Sequence, residues 1–378
     1  MVYSTHFLVA CITGVLVLIQ LFYYVYFFAR LAFYKKKQSS DIKTQYPVSI
    51  IVCAFNEEAN LRKNLPLWLN QNYFKNGRPY FEVVVVNDNS EDETFYLLNQ
   101  LSEKYPHLHV VNLTQEAKLI PGKKFPLSMG IKSAKCEHLL LTDADCVPDS
   151  DEWLSTMAEN FSAEKKIVLG YGPYYKHEGY INKKIRFETV HSAMQYLSYA
   201  LAGTPYMGVG RNLAYVRDLF NKNKGFSSHH HIVSGDDDLF INQVARSKNT
   251  VIEIDPKTFI YSEPKKNAED WHLQKKRHLS TGKYYQAKHK ALLSIYAISH
   301  FLFWLSLIPC ILFPKFILYV AIAFVVRWLV QGFIFRKVFI KLKENDLIYY
   351  IWWFDIWLLF YNIKSVPSIF FKNKIHWK

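Results

Sequence analysis

The chain has 378 residues, of which 50% are hydrophobic, and it carries a formal net charge of +14. This length suits one large domain or two smaller ones. The apolar residues are concentrated near both ends of the chain, which excludes an evenly soluble globule and predicts a membrane protein. Attraction to anionic lipid head groups explains the positive charge, and the sequence has no nucleic-acid-binding motif, so we expect no nucleic acid partner.

The N-terminal segment, residues 1–34, predicts a membrane anchor. Its uncharged, mostly apolar run over residues 5–29 is long enough to cross a hydrocarbon core of about 30 Å. A secretory signal would place basic residues before a shorter apolar core, whereas here three lysines at residues 35–37 follow the run. We therefore expect this segment to be retained.

The C-terminal region, residues 291–378, contains two further apolar runs, 292–313 and 316–335. Each run is long enough to span a membrane, and the very short connection between them predicts a helical hairpin. Arg327 lies inside the second run, so it needs a buried partner or a route by which its charge reaches the interface.

A third stretch, residues 347–371, is dense in Trp and Tyr and contains Asp355. This composition suits a helix that lies in the membrane interface about as well as a helix that spans the bilayer. The sequence leaves both alternatives open.

The distribution of Lys and Arg predicts the orientation of these segments. Basic residues follow the first segment and flank the hairpin, and such residues concentrate on the cytoplasmic side. The region 38–290 should therefore face the cytoplasm, in a protein integral to the cytoplasmic (inner) membrane. Its cysteines have no disulfide spacing, which agrees with a reducing compartment. They are Cys53, Cys136 and Cys146.

The region 38–290 alternates apolar strand patterns with amphipathic helix patterns. Strands are predicted in YPVSIIVCAFN, FEVVVVNDNS, HVVNLT and EHLLLTDADC. Helices are predicted in EEANLRKNLPLWLNQ, EDETFYLLNQLSEKY and FPLSMGIKSAK. Such alternation predicts an α/β fold with a mostly parallel sheet that helices cover on both faces.

Polar side chains follow three of these strands at the point where each strand ends. They are Asn56 and Glu57, Asp88 and Asn89, and Asp143 and Asp145. The carboxyl ends of parallel strands meet at one edge of a sheet, which is where ligands bind in such folds. Turn formation alone explains Asp or Asn at any single strand end, but it explains all three together less well.

Asp143 and Asp145 are spaced to hold a divalent metal. Residues i and i+2 at a strand end both reach one hard cation while Ala144 points away. Such an ion, Mg²⁺ or Mn²⁺, takes further ligands from water and substrate phosphates and neutralises charge on a leaving diphosphate. Lys123 and Lys124 just upstream are candidate counter-charges for those phosphates, although lysines in a loop are ordinarily solvated.

Six motifs occur in an order that resembles one enzyme family. They are VSIIVCAFNEE, FEVVVVNDNSEDET, GKKFPLSMGIKSA, LLLTDADC, SGDDDLFINQVA and QKKRH, within about residues 46–280. The set resembles the membrane-associated family 2 glycosyltransferases with the GT-A nucleotide-diphosphosugar fold, in the branch that includes cellulose and hyaluronan synthases. The resemblance implies a nucleotide-diphosphate sugar donor and transfer with inversion, by a hexosyl- or N-acetylhexosaminyltransferase.

The resemblance also implies roles for single residues. Asp88 matches the acid that contacts the nucleotide base or ribose. Asp143 and Asp145 match the metal and diphosphate motif, with Asp145 favoured as the direct ligand. In the last motif, Gln274 and Arg277 match residues on the donor side, and the arginine is a candidate contact for the diphosphate. The nucleotide-binding first loop corresponds to the strand end with Ala54, Asn56 and Glu57.

The acidic triplet before Leu239 contains the expected catalytic base, the acid that deprotonates the acceptor hydroxyl. If the triplet is aligned with the family motif at Leu239, the base is Asp236. If it is aligned at the preceding glycine, the base is Asp237. We favour Asp236. An acidic first turn of a helix, stabilised by the helix dipole, would account for Asp237 and Asp238 without chemistry.

The last motif departs from the family pattern. Processive relatives carry Gln-x-x-Arg-Trp, whose Trp stacks on the acceptor sugar, but here His278 follows Arg277. The missing Trp and the small number of predicted membrane helices favour transfer of one or a few sugars to a lipid-linked or membrane-proximal glycan acceptor. The alternatives are a processive polysaccharide synthase and a non-catalytic membrane subunit that binds nucleotide sugars. Three consecutive histidines, residues 229–231, are not expected to hold a metal, because successive side chains point in different directions.

Overall fold

The N-terminal anchor segment is helical. The computed structural model describes residues 2–36, 44–114, 122–312 and 317–370. Three helices within these residues are long and apolar enough to cross a membrane. The first, Phe7–Ala32, has a mean hydropathy of 2.3 and includes most of α1 (Val2–Phe22), a π-helical turn (Tyr23–Phe28) and α2 (Ala29–Ala32). Lys37, the last residue of the basic cluster, lies outside the described residues.

The middle region alternates strands and helices. The strands are β1 (Val48–Ala54), β2 (Phe74–Lys75), β3 (Arg78–Pro79), β4 (Phe81–Asp88), β5 (Leu108–Leu113), β6 (His138–Asp143), β7 (Cys146–Pro148), β8 (Ile167–Leu169), β9 (Leu213–Val216), β10 (Thr250–Ile252) and β11 (Ile260–Ser262). The helices are α3 (Glu58–Leu69), α4 (Thr94–Lys104), α5 (Lys124–Ser133), α6 (Trp153–Ala158), α7 (Tyr180–Leu201), α8 (Arg217–Lys222), α9 (Asp238–Val244) and α10 (Ala268–Leu279).

The central sheet has the strand order β10-β8-β9-β6-β1-β4-β5. Strands β6, β1, β4 and β5 are parallel, and β9 runs antiparallel to both β6 and β8. All four strands predicted from sequence lie in the parallel part. Their carboxyl ends therefore lie at one edge of the sheet, as the sequence predicts.

Helices cover both faces of this sheet. In β1, Ile50 and Val52 pack in a core with Trp68 of α3. The side chain between them, Ile51, faces the opposite core with Ile131 of α5. The alternation follows from the two-residue period of a strand, and apolar residues on both faces require two apolar layers. The α/β prediction is confirmed.

One face of the sheet is continuous with the membrane helices through α7. This helix is buried along most of its length, and its Tyr199 ring lies 4.6 Å from the Phe27 ring of the π-helical turn. Arg186 of α7 donates hydrogen bonds to Glu344 and Asp346, which follow the second C-terminal helix. The middle region is thus held against the membrane helices by both apolar packing and ion pairs.

The described part of the C-terminal region contains three α-helices, α11 (Ala287–Leu312), α12 (Ile317–Lys341) and α13 (Ile351–Phe370), with a 3-10 helix (Asn345–Tyr350) before the last. The first two contain the other candidate spans, Ala287–Pro309 and Ile317–Lys341. The predicted turn between them falls in residues 313–316, outside the described residues, as does residue 371 at the end of the third predicted stretch.

The structure supplies a buried partner for Arg327. Its guanidinium in α12 lies 3.2 Å from the Asp355 carboxylate of α13. Gln331 and His300 are also hydrogen-bonded to this carboxylate, at 2.6 and 3.0 Å. A charged pair with several hydrogen bonds avoids the cost of an isolated charge among apolar helices. The helix α13 therefore packs against α11 and α12 through Asp355.

Candidate active site

The ends of β1 and β4 are joined by hydrogen bonds between their loops. Asn56 and Asn89 both adopt left-handed backbone conformations, with φ of 54° and 57°. The Asn56 N–H donates to the Ser90 hydroxyl at 2.9 Å, and its side-chain oxygen accepts from the Glu91 N–H at 2.7 Å. Turn formation therefore accounts for this Asn56 oxygen, and its predicted contact with the nucleotide stays a prediction.

The other residues predicted for the donor lie beside this junction. In the sheet register Ala54 is opposite Asn87, so Asp88 comes one residue farther along the neighbouring strand. Asp88 is buried, and Glu57 accepts a hydrogen bond of 2.5 Å from the Asn60 side chain. On the other side of β1, Cys53 is opposite Asp143. The predicted gathering of the three strand ends is thus found.

Asp143, Asp145 and Cys146 form a group of possible metal ligands, whose ligand atoms all lie within 4.8 Å of one another. Ala144 between the two acids is buried in an apolar core. Two carboxylates this close fit a hard divalent cation, which prefers oxygen ligands. Burial and the two carboxylates raise the pKa of the Cys146 thiol, and a neutral thiol is a poor ligand for such an ion.

The two carboxyl groups have opposite pKa shifts. Burial raises the pKa of Asp143, but the Lys123 ammonium, together with Arg211 and Arg277, outweighs burial and holds the pKa below its usual range. Part of the Asp145 side chain is exposed, yet desolvation by surrounding atoms and the negative charge of Asp143 raise its pKa. A bound cation would offset this repulsion between the two acids.

The adjacent lysines Lys123 and Lys124 serve different parts of the site. Lys123 forms an ion pair with Asp143. Lys124 is buried, and its ammonium donates to backbone carbonyls instead of facing the metal motif. Of the two candidate counter-charges, Lys123 thus lies beside the metal motif, and the predicted phosphate contact of Lys124 stays a prediction, because the sequence shows the spacing of the two lysines but not the direction of their side chains. Residues 115–121 of the predicted loop before them lie outside the described residues.

Asp237 caps the helix α9. One carboxylate oxygen accepts from the Asp238 N–H and the other from the Gly210 N–H, both at 2.7 Å. Burial and the negative charges of Asp236 and Asp238 raise the pKa of Asp237 to about 8. At neutral pH such a carboxyl is mostly protonated, so it is poorly suited to accept a proton.

The other two acids of the triplet differ in their contacts. Asp238 is buried and accepts hydrogen bonds from the hydroxyls of Tyr285 and Thr281. Asp236 accepts no hydrogen bond from the described residues, and it lines a polar cleft beside the metal motif. Its oxygens are free to accept a proton from a ligand, which agrees with the choice of Asp236 as the base.

The cleft has a volume of about 270 Å³ and lies between the metal motif, the acidic triplet, α7 and α10. The charged and polar residues that it brings together from distant parts of the chain include Lys123, Asp143, Arg211, Asp236, Gln274 and Arg277. Gln274 and Arg277 are therefore on the cleft, as the motif predicts. The Gln274 amide also donates to the Tyr174 hydroxyl at 3.4 Å.

Arg211 is a cleft residue that the sequence reasoning missed. Its guanidinium lies 4.4 Å from the centre of the Tyr174 ring and donates to the Ser262 hydroxyl at 3.0 Å. Gly172 packs on it so closely that an added Cβ would lie 2.4 Å from the arginine Nε. The stretch GVGRN offered the only signal, an arginine within glycines. The sequence did not show that this arginine lies beside the metal motif in the folded chain.

The histidines at 229–231 stay outside the metal site. His229 is buried and hydrogen-bonded to the Ser228 hydroxyl at 2.8 Å, and His230 is exposed. In the described part of the chain, no histidine of this run belongs to a cluster of metal-ligating side chains. The expectation that they hold no metal stays a prediction.

Comparison with known proteins agrees with this geometry. Residues 49–223 match the sequence model of Glycosyl transferase family 2. The chain is 33% identical over 113 residues to a probable glycosyltransferase, YdaM of Bacillus subtilis, covering 30% of this chain and 26% of that protein. It is 34% identical over 106 residues to the dolichyl-phosphate beta-glucosyltransferase ALG5D of Trichomonas vaginalis, covering 27% and 31% respectively. The chain thus spans about a quarter to a third of the length of these relatives.

The fold also matches a solved structure. The mannosyltransferase PcManGT from Pyrobaculum calidifontis, solved in complex with GDP-Man and Mn²⁺, aligns with a TM-score of 0.58 and 16% identity. The alignment covers 93% of this chain and 99% of that one. At this identity the likeness shows the GT-A fold and no more. Taken with the matched motifs and the cleft, residues 49–223 match family 2 glycosyltransferases in sequence, and the chain has the GT-A fold.

Proposed function

We propose that the chain is an inverting, metal-dependent glycosyltransferase. It moves a hexose or N-acetylhexosamine from a nucleotide-diphosphate sugar to a hydroxyl of a lipid-linked or membrane-proximal glycan acceptor. The reaction takes place on the cytoplasmic face of the cytoplasmic membrane. The observation that carries this proposal is that Asp143 of the metal motif and Asp236 of the acidic triplet line the same cleft.

The chemistry needs a base on the acceptor side and positive charge on the donor side. Asp236 takes the proton of the acceptor hydroxyl as that oxygen attacks the anomeric carbon in line with the departing diphosphate. Asp143 and Asp145 would hold a divalent cation, which supplies charge neutralisation when bound. Lys123, Arg211 and Arg277 add positive charge on the same side, where negative charge develops.

The position of α7 supports a membrane-proximal acceptor. Glu188 and Ser192 on one side of this helix line the cleft, while the ring of Phe187 on another side lies 5.8 Å from the Phe339 ring of α12. A single helix thus separates the cleft from the membrane helices. One relative is named a dolichyl-phosphate beta-glucosyltransferase, and a lipid phosphate in its name supports an acceptor at the membrane here.

The test is release of UDP or GDP from a panel of sugar nucleotides, with and without Mn²⁺ or Mg²⁺. The protein is placed in nanodiscs of total lipid from the expression host, which supply lipid acceptors. We expect metal-dependent release from one donor that Asp145→Asn abolishes. Asp149→Asn removes a nearby exposed acid outside the ligand group and should leave release unchanged.

Two results would overturn the proposal. If nucleotide binds with metal in calorimetry but no donor in the panel is turned over, the chain is a binding subunit. If mass spectrometry of the product shows long polymers, the chain is a processive synthase.

A further inference from the structure

Lys124 is bound entirely by backbone carbonyls. It is 1% exposed, and its ammonium donates to the carbonyls of His229, Ile232 and Ser234 at 2.7, 2.6 and 2.8 Å. An ammonium has three N–H donors, so these contacts use all of them. Burying such a charge is costly, and the three hydrogen bonds are what offset that cost.

The carbonyls belong to one loop, residues 229–235, which we name the base loop because it leads directly into Asp236. A second contact holds the same loop. Gly122 has a φ of +82°, and a Cβ added to it would lie 2.4 Å from the carbonyl oxygen of Val233. Only glycine allows the backbone to approach the loop this closely in that conformation. The segment 122–124 thus holds the base loop at two points.

Lys123, between Gly122 and Lys124, contacts the donor side of the cleft. Lys123 forms an ion pair with Asp143, which ends β6 and belongs to the metal motif. Adjacent residues at the start of α5 therefore contact the metal motif and the base loop. The contacts connect the two halves of the cleft through a few backbone bonds, which limits how far Asp236 can move relative to Asp143.

We propose that Lys124 is a positioning residue for transfer, which holds the base loop so that Asp236 stays in place opposite the donor. The inference rests on the proposed function, because it assigns a purpose to the position of Asp236. Lys124 touches neither donor nor acceptor in this role. Small displacements of a reacting group lower turnover steeply, by about 100-fold for about 1 Å.

The experiment compares two replacements of Lys124 in the full-length protein in nanodiscs. Lys124→Met keeps the length of the side chain and removes all three donors, and Lys124→Gln retains two N–H donors on a shorter chain. With the donor identified in the panel above, kcat should fall about 100-fold in Lys124→Met and less in Lys124→Gln. The KM for the donor and the affinity for UDP or GDP should change less than about twofold, since the donor side is untouched.

Three further measurements keep the outcome clear. Lys132→Met removes an exposed lysine from the same helix and should match the unchanged protein. Gly122→Ala disturbs the base loop from its other contact and should reproduce the loss in kcat. Amide hydrogen exchange over residues 229–236 should rise in Lys124→Met and Gly122→Ala, but not in Lys132→Met.

Unchanged kcat in Lys124→Met would overturn the inference, and so would a loss explained by a smaller folded fraction in thermal unfolding. A rise in donor KM with kcat constant would instead place Lys124 in donor binding. Asp236→Asn separates the two proposals. If Asp236→Asn is inactive while Lys124→Met is fully active, only the positioning role fails, and if Asp236→Asn is fully active, the proposed base is wrong.

Discussion

The guanidinium of Arg327 lies 3.2 Å from a carboxylate oxygen of Asp355, and both side chains are buried. This pair joins α12 to α13. Removing one partner of a buried pair leaves an unpaired charge, which costs about 3–5 kcal/mol. We expect Arg327→Leu or Asp355→Leu alone to lower the free energy of unfolding by about this amount, and the double variant to recover much of it.

Unfolding in detergent, followed by intrinsic Trp fluorescence, gives the four values of this double-mutant cycle. Arg336→Leu removes an exposed arginine from the same helix and serves as the control. Additive effects of the two single replacements would mean that the pair contributes no coupling between the helices.

The identity of the base can be decided by comparing two neighbouring acids. Asp236→Asn removes a proton acceptor and should lower transfer about 100-fold or more without lowering stability. Asp237→Asn replaces one of two accepting oxygens by an NH₂ group facing a backbone N–H, so it should lower the free energy of unfolding by about 1–3 kcal/mol and keep measurable transfer. Turnover and thermal unfolding of both variants are the measurements. The opposite pattern would assign the base to Asp237.

The ion pairs of Asp346 predict a pH dependence of stability. Burial alone would raise the pKa of Asp346, but hydrogen bonds and charges of Arg186 and Lys176 lower it from 3.8 to about 2. A carboxyl with a lowered pKa in the folded state contributes stability above pH 4, and this contribution is lost as pH falls from about 4 towards 2. Thermal midpoints of the unchanged protein and Asp346→Asn should therefore converge over that range.

The side chain of Asp346 is 43% exposed, so solvent screening makes the difference between these midpoints modest. Asp149→Asn, which removes an exposed acid with no ion pair among the described residues, is the matched control. A constant difference between Asp346→Asn and the unchanged protein from about pH 5 to 2 would show that the carboxylate charge contributes nothing.

Arg211 should bind the donor through its charge. Arg211→Met removes positive charge beside Asp143 and should raise the KM for the sugar nucleotide about tenfold or more, since hydrogen bonds to charged groups contribute about 1.5–3 kcal/mol. Arg217→Met is the control, because Arg217 pairs with Glu137 and does not line the cleft. Steady-state kinetics at varied donor concentration measures the KM and kcat of both variants. An unchanged KM with lowered kcat would place Arg211 on the acceptor instead.

Much of the fold could be predicted because its signals are local. The continuous apolar run of β4 requires a strand buried on both faces, and all its residues are buried. Asp143 and Asp145 could be assigned to one group because their spacing already places them together. The direction of the Lys124 side chain could not be predicted, because its three partners lie more than 100 positions away in the chain.

The sequence by itself determined the long apolar helices, the mostly parallel sheet and the edge where the acidic strand ends meet, since periodicity and apolar length are properties of short segments. Only the tertiary structure decided that Asp237 caps a helix and that Arg211 lies beside the metal motif. It also paired Arg327 with Asp355. These roles depend on which distant groups approach a side chain, and that follows from how the helices and strands pack together.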